Sequence, residues 1–370
     1  MKKTASNEKN WIPSKMGNLD TRQKREICIP DKIEQMKKKR QDHRMWTVLL
    51  AGILSCWMPL KGEAQDSLSS QHFFSVRVDD DFLNLAGQGT DRYYTGGDYY
   101  RYSFLAAAGK KRLLRKILYS PFTGTPSLYS IGATQWVYTP DNLSASTPVI
   151  GDYPYCGVLF LSLGRESLSP DHSGLFRSAL WLGTMGPAAA AKEVQTFIHG
   201  MIKTNEPRGW GNQLPDYPVV NYSLYYEPNL FSFSRIFKVN GTGSVRAGTL
   251  QTDAQIGLDL LISNEKDNFF PARNAGTRNH SRKRPGFYVE VRPAVKFVGY
   301  NSILEGGPFD GRQYYHIPAE QITRILFEGT GIMGMQLGGF SIQYRQVIET
   351  AEFRTVQKQV YGGFLLQWRI

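Results

Sequence analysis

Phe287-Tyr288-Val289-Glu290-Val291-Arg292-Pro293-Ala294-Val295-Lys296-Phe297 alternates: its odd positions are apolar, and its even positions include Glu290, Arg292 and Lys296. A period of two puts the apolar side chains on one face of a strand and the charged ones on the other. The pattern recurs. Phe340, Ile342 and Tyr344 alternate with Ser341, Gln343 and Arg345. Val220, Tyr222, Leu224 and Tyr226 alternate with Asn221, Ser223 and Tyr225, and Ala254, Ile256, Leu258 and Leu260 with Gln255, Gly257 and Asp259. A soluble sandwich turns such an apolar face inward, whereas a membrane barrel turns it outward to lipid. Three features favour the barrel. The segments run to about ten residues, as a tilted membrane-crossing strand requires. Tyr and Phe are abundant, as interfacial girdles need. The chain also ends on a strand, Phe364-Leu365-Leu366-Gln367-Trp368-Arg369-Ile370. The periodicity places strands at 73–80, 97–107, 127–138, 155–165, 174–186, 219–231, 242–250, 252–262, 286–299, 328–337, 339–349 and 358–370. About twelve strands predict an all-β fold, a transmembrane antiparallel β-barrel with a short helix in an outer loop. The polar segments 139–154, 200–218, 263–285 and 300–320 read as outer loops.

The rest of the composition agrees. The chain has 370 residues, 13% aromatics, 36 glycines and a mean hydropathy of −0.36. Its longest apolar run is Trp46–Leu60, preceded by Lys37-Lys38-Lys39-Arg40 and Arg44 and followed by Gly62-Glu63-Ala64. A basic stretch, a short apolar core and small residues describe a secretory signal. Cleavage after Ala64 would leave residues 65–370 as the barrel and 1–64 as an extension and signal peptide. Met36 and Met45 are alternative starts. Ile53-Leu54-Ser55-Cys56 resembles a lipoprotein box only loosely, because Trp57 and Met58 continue the apolar core. Losing residues 1–64 removes 14 of 44 Lys and Arg and 7 of 32 Asp and Glu, so the net charge falls from +12 to +5. The basicity belongs largely to the leader, and no nucleic-acid partner is expected. Of Cys28, Cys56 and Cys156 only the last remains, which rules out an internal disulfide in the cleaved chain, and no Cys/His spacing suggests structural zinc.

One segment breaks the strand pattern. Gly186-Pro187-Ala188-Ala189-Ala190-Ala191-Lys192-Glu193-Val194-Gln195-Thr196-Phe197-Ile198-His199 favours helix, with Pro187 in the first turn. Gln195 and His199, four apart, share a face. A histidine works as a base near neutral pH, and an amide beside it can orient or stabilise. The plainer alternative is a surface helix with an incidental polar pair. Asp79-Asp80-Asp81 ends the first strand and reads either as an acidic loop mouth or as oxygen ligands for Ca²⁺ or Mg²⁺. Thr90-Asp91-Arg92-Tyr93-Tyr94-Thr95-Gly96-Gly97-Asp98 reads either as a polar hairpin, with Tyr93 and Tyr94 at the membrane interface, or as a close approach offering the Thr95 hydroxyl to a substrate oxygen. Asp152-Tyr153-Pro154-Tyr155-Cys156-Gly157 and Gly209-Trp210-Gly211-Asn212-Gln213-Leu214 read as rim segments that pack the helix, with Trp210 an anchor. No Gly-x-Ser-x-Gly setting supplies a serine nucleophile.

Taken together these segments resemble the LpxR family of outer-membrane lipid A deacylases. The matching residues are Val78–Phe82, Thr90–Gly97, Tyr138-Thr139-Pro140, Asp152–Gly157, Gly186-Pro187 with Gln195 and His199, and Gly209–Leu214, in order and at fitting spacing. The resemblance implies a twelve-stranded barrel that removes the 3′-linked acyloxyacyl group of lipid A in a Ca²⁺-dependent reaction. It implies a site between the barrel wall and a short helix on the outer-leaflet side. His199 would be the general base and Gln195 its neighbour. Asp81 matches the family's essential aspartate and Thr95 its threonine, while Asp80 stands where Asn is usual. Asp81 and Asp80 would be the Ca²⁺ ligands. Asp141–Ala145 lacks the lysine that some members carry, and Gly96 and Gly211 replace residues that are more often Asn and Asp. The expected partners are lipopolysaccharide and outer-membrane lipids, with the protein a monomer in the outer membrane of a diderm bacterium. Two other readings stand beside this one: a phospholipase or other lipid esterase on the same fold, and a non-catalytic pore or receptor.

Overall fold

The computed structural model describes residues 71–85, 92–109, 111–234, 236–264, 285–308 and 314–370. The signal-like run, the Ala64 cleavage point, Thr90 and Asp91 lie outside the described residues. No helix among them is long and apolar enough to cross a membrane, and the fold is built from twelve strands. The twelve are β1 (His72–Asp80), β2 (Tyr93–Ala106), β3 (Ser127–Thr139), β4 (Cys156–Leu168), β5 (Gly174–Met185), β6 (Tyr217–Ser232), β7 (Phe237–Gly248), β8 (Gln251–Ser263), β9 (Gly286–Asn301), β10 (Ile325–Leu337), β11 (Phe340–Glu349) and β12 (Gln359–Arg369). Each pairs antiparallel with its sequence neighbours, and β1 pairs with β12, which closes the barrel. Closure removes the sheet edges, so backbone N–H and C=O groups are satisfied where lipid offers no partner.

The exposed side chains decide between sandwich and barrel. Phe287, Val289, Val291 and Phe297 of β9, and Ile256, Leu258 and Ile262 of β8, are exposed. Their neighbours Glu290 and Asp259 are buried in the lumen. Arg292 there reaches Glu290 at 2.6 Å and Asp259 at 3.3 Å. Further lumenal pairs join Arg177 to Glu166 at 2.6 Å, Arg246 to Asp253 at 2.7 Å, and Lys296 to Glu349. The apolar face is therefore turned outward, and the charged face is kept inside by mutual pairing.

All twelve expected strands are present. The largest shifts are at β2 and β7, which begin four and five residues earlier than the periodicity places them. In β2 the register slips between Tyr94 and Gly96, opposite Tyr138 and Val137. This bulge inserts an extra residue, Thr95, and breaks the alternation that a reading by twos follows. Tyr93 and Tyr94 are also corrected. They do not sit at the membrane interface but are buried in the barrel mouth with Trp136, Tyr138 and Tyr153. Of the expected outer loop 263–285, residues 265–284 lie outside the described residues. Two short helices were not anticipated: α1 (Arg112–Ile117), which follows β2, and the single turn α3 (Ser302–Glu305), which follows β9. The longer helix, α2 (Ala191–Ile202), lies between β5 and β6. Cys156 is a free, buried thiol.

Val291→Arg puts a charge on the outer face of β9 and should lower stability in a bilayer by about 2–4 kcal/mol if Val291 lies near the midplane. Urea unfolding of the barrel in lipid vesicles measures this. A midpoint unchanged from the parent would contradict an outward-facing Val291.

Candidate active site

The site is built on the outer surface of the wall, at the end where β1 stops and β2 begins. In β1, Asp79 points inward, where Arg77 reaches it at 3.3 Å. Its neighbour Asp80 therefore points outward, paired in register with Gly96. The Asp80 carboxylate accepts from the Phe82 N–H at 2.8 Å and so caps a 3₁₀ turn, Asp81–Leu83. That turn is pinned from below by the Tyr344 hydroxyl, which donates to the Leu83 carbonyl at 2.9 Å. Asp81 is buried, and its Oδ2 accepts from the Arg92 N–H at 2.7 Å. The acidic strand end is thus a folded turn tied to both β2 and β11, not a solvated loop mouth.

Thr95, the bulged residue, hydrogen-bonds through its hydroxyl to that of Thr139 at 2.6 Å, and both are buried. The bulge is what brings Thr95 to the outer face beside Asp80. Along β3, Gln135, Val137 and Thr139 share that face. Gln135 donates from Nε2 to the Ala189 carbonyl at 2.6 Å. Sequence reading missed Gln135 and Thr139 as site-building residues. The available signal was that both are polar on a strand face whose other members, Ile131, Ala133 and Val137, are apolar.

The helix is set on the wall by glycines and an aromatic clamp. A Cβ at Gly157 would stand 2.5 Å from the Ala191 Cβ, so only glycine lets α2 approach β4 this closely. A Cβ at Gly209 would stand 2.2 Å from the Tyr155 ring. Val137, Leu143, Tyr155, Ala191 and Trp210 form a small apolar cluster between wall and helix. The Tyr155 and Trp210 ring centroids are 4.9 Å apart. Burial pushes the Tyr155 phenol up to about 12. The helix starts later than Pro187. Pro187–Ala189 form a 3₁₀ turn and Ala190 is left-handed with φ 56°. The Ala189 carbonyl has been taken by Gln135, and the Ala188 N–H by Asp216 at 2.7 Å.

On α2, Ala191, Gln195, His199 and Ile202 are buried. The Gln195 Oε1 accepts from the Trp210 indole N–H at 2.8 Å. Its Nε2 is buried with no hydrogen-bond partner among the described residues. The His199 Nδ1–H donates to the Asn205 carbonyl at 2.6 Å. A carbonyl can only accept, so the proton belongs on Nδ1 and, in the neutral ring, the lone pair on Nε2. This is the arrangement of an oriented base with an amide donor one helical turn away. Every expected site residue, Asp80, Asp81, Thr95, Gln195 and His199, thus lies at the same end of the barrel. The carboxylates and the threonine rise from β1 and β2, while the amide and imidazole come from the helix seated on β3 and β4.

Among the described residues there is no group of three or more His, Cys, Asp or Glu that could hold a metal ion. The 80–84 turn does offer hard oxygens. Asp80 and Asp81 carry carboxylates there, and the Asn84 Oδ1 is buried without a hydrogen-bond partner.

The family described as "Outer membrane protein LpxR" matches residues 48–370. Among solved structures, LpxR from Salmonella typhimurium superposes with a TM-score of 0.63 at 19% identity, over 80% of this chain and 99% of that one. Two other barrels are more distant. The β domain of the Bordetella autotransporter Brka has a TM-score of 0.39 at 8% identity, over 81% of this chain and 99% of that one. Pseudomonas putida OprB has 0.32 at 9%, over 81% and 93%. No curated protein matches.

Trp210→Phe keeps the ring and deletes the N–H, leaving the Gln195 Oε1 buried and unpaired. Such a loss costs about 1–3 kcal/mol. Amide exchange across Ala191–Ile202 should quicken by about ten- to a hundredfold while the β3 and β4 amides stay protected. Unchanged helix protection would show that the indole bond does not hold α2.

Proposed function

The chain belongs to the LpxR family of outer membrane proteins, and from that premise we propose that it is a lipid A deacylase that hydrolyses the 3′-linked acyloxyacyl ester with His199 as general base. The observation that carries this reading is the buried pair on α2. Gln195 is held by Trp210 with an amide N–H₂ in reserve, and His199 is held by Asn205 with its basic nitrogen identified. A surface helix with an incidental polar pair would leave both side chains in water.

In the reaction, His199 takes a proton at Nε2 from a water, and the resulting hydroxide adds to the acyl carbonyl. The Asn205 carbonyl holds the ring and stabilises the imidazolium that forms. The proton then passes to the leaving sugar oxygen as the ester C–O bond breaks, which yields a free fatty acid and an alcohol. The Gln195 Nε2 is suited to donate to the carbonyl oxygen as charge builds on it. Thr95, fixed by Thr139, orients the ester from the wall side. Excluding water from this face, which the Tyr155–Trp210 cluster does from behind the helix, strengthens both interactions.

Ca²⁺ takes six to eight oxygen ligands, largely carboxylate and carbonyl. Asp80, Asp81 and the Asn84 amide oxygen are of that kind, and waters and substrate oxygens would complete the set. When bound there, Ca²⁺ would supply a Lewis acid for the acyl carbonyl. Asp80, in place of the usual Asn, adds a negative charge to this donor set.

A pore is disfavoured by the barrel mouth. Tyr153, Ile303, Leu304, Ile317 and Phe353 from the connecting segments pack with Tyr94, Trp136 and Phe160 of the strands into one buried cluster across it. The Tyr153 hydroxyl further bonds Glu352 and Gln359 beneath that cluster.

Mass spectrometry of lipid A from cells expressing the barrel tests the proposal. The parent should remove an acyloxyacyl mass. His199→Ala should lower turnover by about 10²–10⁴-fold while keeping the heat-modifiable mobility of a folded barrel. A Ca²⁺ chelator should abolish the parent's activity, and added Ca²⁺ should restore it. An unchanged lipid A profile with folded parent protein would overturn the reading. Release of lysophospholipid instead would assign the same site to phospholipids.

A further inference from the structure

β2 begins at the site's end of the barrel, so the connection that follows it lies at the opposite end. Between Ala106 and Ser127 this connection holds Lys110, Lys111, Arg112, Arg115 and Lys116 and no Asp or Glu. Residues 65–370 carry a net charge of +5, so this one connection accounts for all of it. It does not hang free but folds back over the outer wall. Leu118 is buried against Ala106 and Tyr129, with Leu163 and Leu180 beside them. The Tyr222 hydroxyl donates to the Ile117 carbonyl and accepts from the Tyr119 N–H, each at 2.9 Å. Arg165, on the outward face of β4 yet only 6% exposed, is the main tie. Its Nε donates to the Ser127 Oγ and its Nη1 to the Leu118 carbonyl, both at 3.2 Å, and its Nη2 to the Phe122 carbonyl at 3.5 Å.

Held in this way, α1 is divided in three. Leu114 and, just past the last turn, Leu118 meet the wall. Leu113 and Ile117, 70% and 38% exposed, form an apolar edge turned away from it. At 100° per residue, Arg112, Arg115 and Lys116 gather within about 100° on the remaining side. Arg112 and Lys116 are exposed there and Arg115 is half-buried. The depth of α1 follows from β4. Arg165 lies eight residues beyond Gly157, the seat of α2. That is about 26 Å of strand, or about 20 Å across the bilayer at a tilt of about 40°. The apolar band of such barrels is about 25 Å tall, so the two helices sit near its opposite rims. Aromatic rings mark the rim at α1: Tyr119 and Phe122 both meet Phe176 edge-on, and Phe122 also meets Tyr226. Such girdles stand at headgroup level.

We propose that α1 is a docking site for anionic phospholipid in the inner leaflet, with Arg112, Arg115 and Lys116 on the phosphate and Leu113 and Ile117 among the upper acyl chains. Charge complementarity selects this occupant. The connection offers only cations, and a zwitterionic headgroup brings no net charge to match them. Basic side chains at a membrane surface draw in anionic lipids, and a helix with one apolar and one basic side lies at the headgroup–acyl boundary. The consequence is an anchor at the end away from the site. It fixes how deep the barrel sits, and so the height at which Gln195 and His199 stand in the other leaflet. The inference rests on the outer-membrane location and on the outer-leaflet side of the site, not on the deacylase reading.

Fluorescence quenching by labelled lipid tests it. A bimane is attached through Leu113→Cys in full-length protein carrying Cys28→Ser and Cys56→Ser, while the buried Cys156 stays. The protein is refolded into phosphatidylcholine vesicles at low salt, and folding is checked by heat-modifiable mobility. A small, equal mole fraction of phosphatidylglycerol or phosphatidylcholine is added, each with a nitroxide near the top of its chain. Phosphatidylglycerol should quench the Leu113 label severalfold more than phosphatidylcholine does. The same label at Phe197→Cys on α2 should show no such preference. Arg112→Gln, Arg115→Gln and Lys116→Gln together should bring the two lipids to parity at Leu113 while the barrel stays folded. Equal quenching in the parent, a preference as large at Phe197, or a preference that survives the triple variant would each overturn the proposal. No quenching by either lipid would place α1 in water or beneath a protein partner and overturn it too. The readout does not involve turnover, so an inactive protein that keeps the preference would sink the deacylase reading and leave this inference standing.

Discussion

Polar chemistry on the outside of a membrane barrel is the constraint from which the rest of this structure follows. The outer wall faces hydrocarbon, where an unpaired polar group costs several kcal/mol. Asp80, Thr95, Gln135 and Thr139 nevertheless stand on that wall. They are tolerated because each is consumed locally. Asp80 caps a turn, Thr95 and Thr139 bond each other, and Gln135 takes a carbonyl of the segment leading into α2. The helix then covers what these bonds organise. It is a lid whose underside must be polar enough to carry Gln195 and His199, yet small enough to approach the wall. That is why Ala191 meets Gly157 rather than two larger side chains.

The lumen solves the opposite problem. Charges that cannot face lipid are turned inward and paired, along one strand in Arg77–Asp79 and Glu290–Arg292 and across to the neighbouring strand in Arg292–Asp259. Buried pairs of this kind contribute little net stability when intact and are costly when broken. Their effect is to make each strand's inward face distinct from its outward face. A slip of one residue would put a carboxylate into lipid and a phenylalanine into the lumen. The single register slip within β2 occurs at Thr95, at the rim, where it brings a polar side chain to the outer face instead of exposing a charge to the bilayer.

Two sides of one wall therefore serve different ends. Inside, the aromatic cluster around Tyr93, Tyr94, Trp136 and Tyr153 fills the mouth and fixes the strand ends. Outside, the smaller cluster of Val137, Leu143, Tyr155, Ala191 and Trp210 seats the helix. Adjacent residues such as Tyr155 and Cys156 divide between the two clusters. The alternation that builds the barrel also routes neighbouring side chains to the plug and to the site.

The sequence by itself determined the strands, their number and the helical exception among them, and it favoured a barrel over a sandwich. Period-two alternation and a four-alanine run are local patterns that need no partner to be read. It also singled out Gln195 and His199 as a pair, because i,i+4 spacing on a helix is local too. Only the tertiary structure decided which face looks outward and that Tyr93 and Tyr94 plug the mouth. It also began α2 at Ala191 instead of Pro187. These depend on bonds between residues far apart in the chain: Gln135 with Ala189, Trp210 with Gln195, and Thr95 with Thr139 across a bulge. A pattern of polar and apolar residues records which side chains share a face. It does not record which distant partner will claim a carbonyl or an indole N–H, and in this protein those long-range bonds assemble the candidate site.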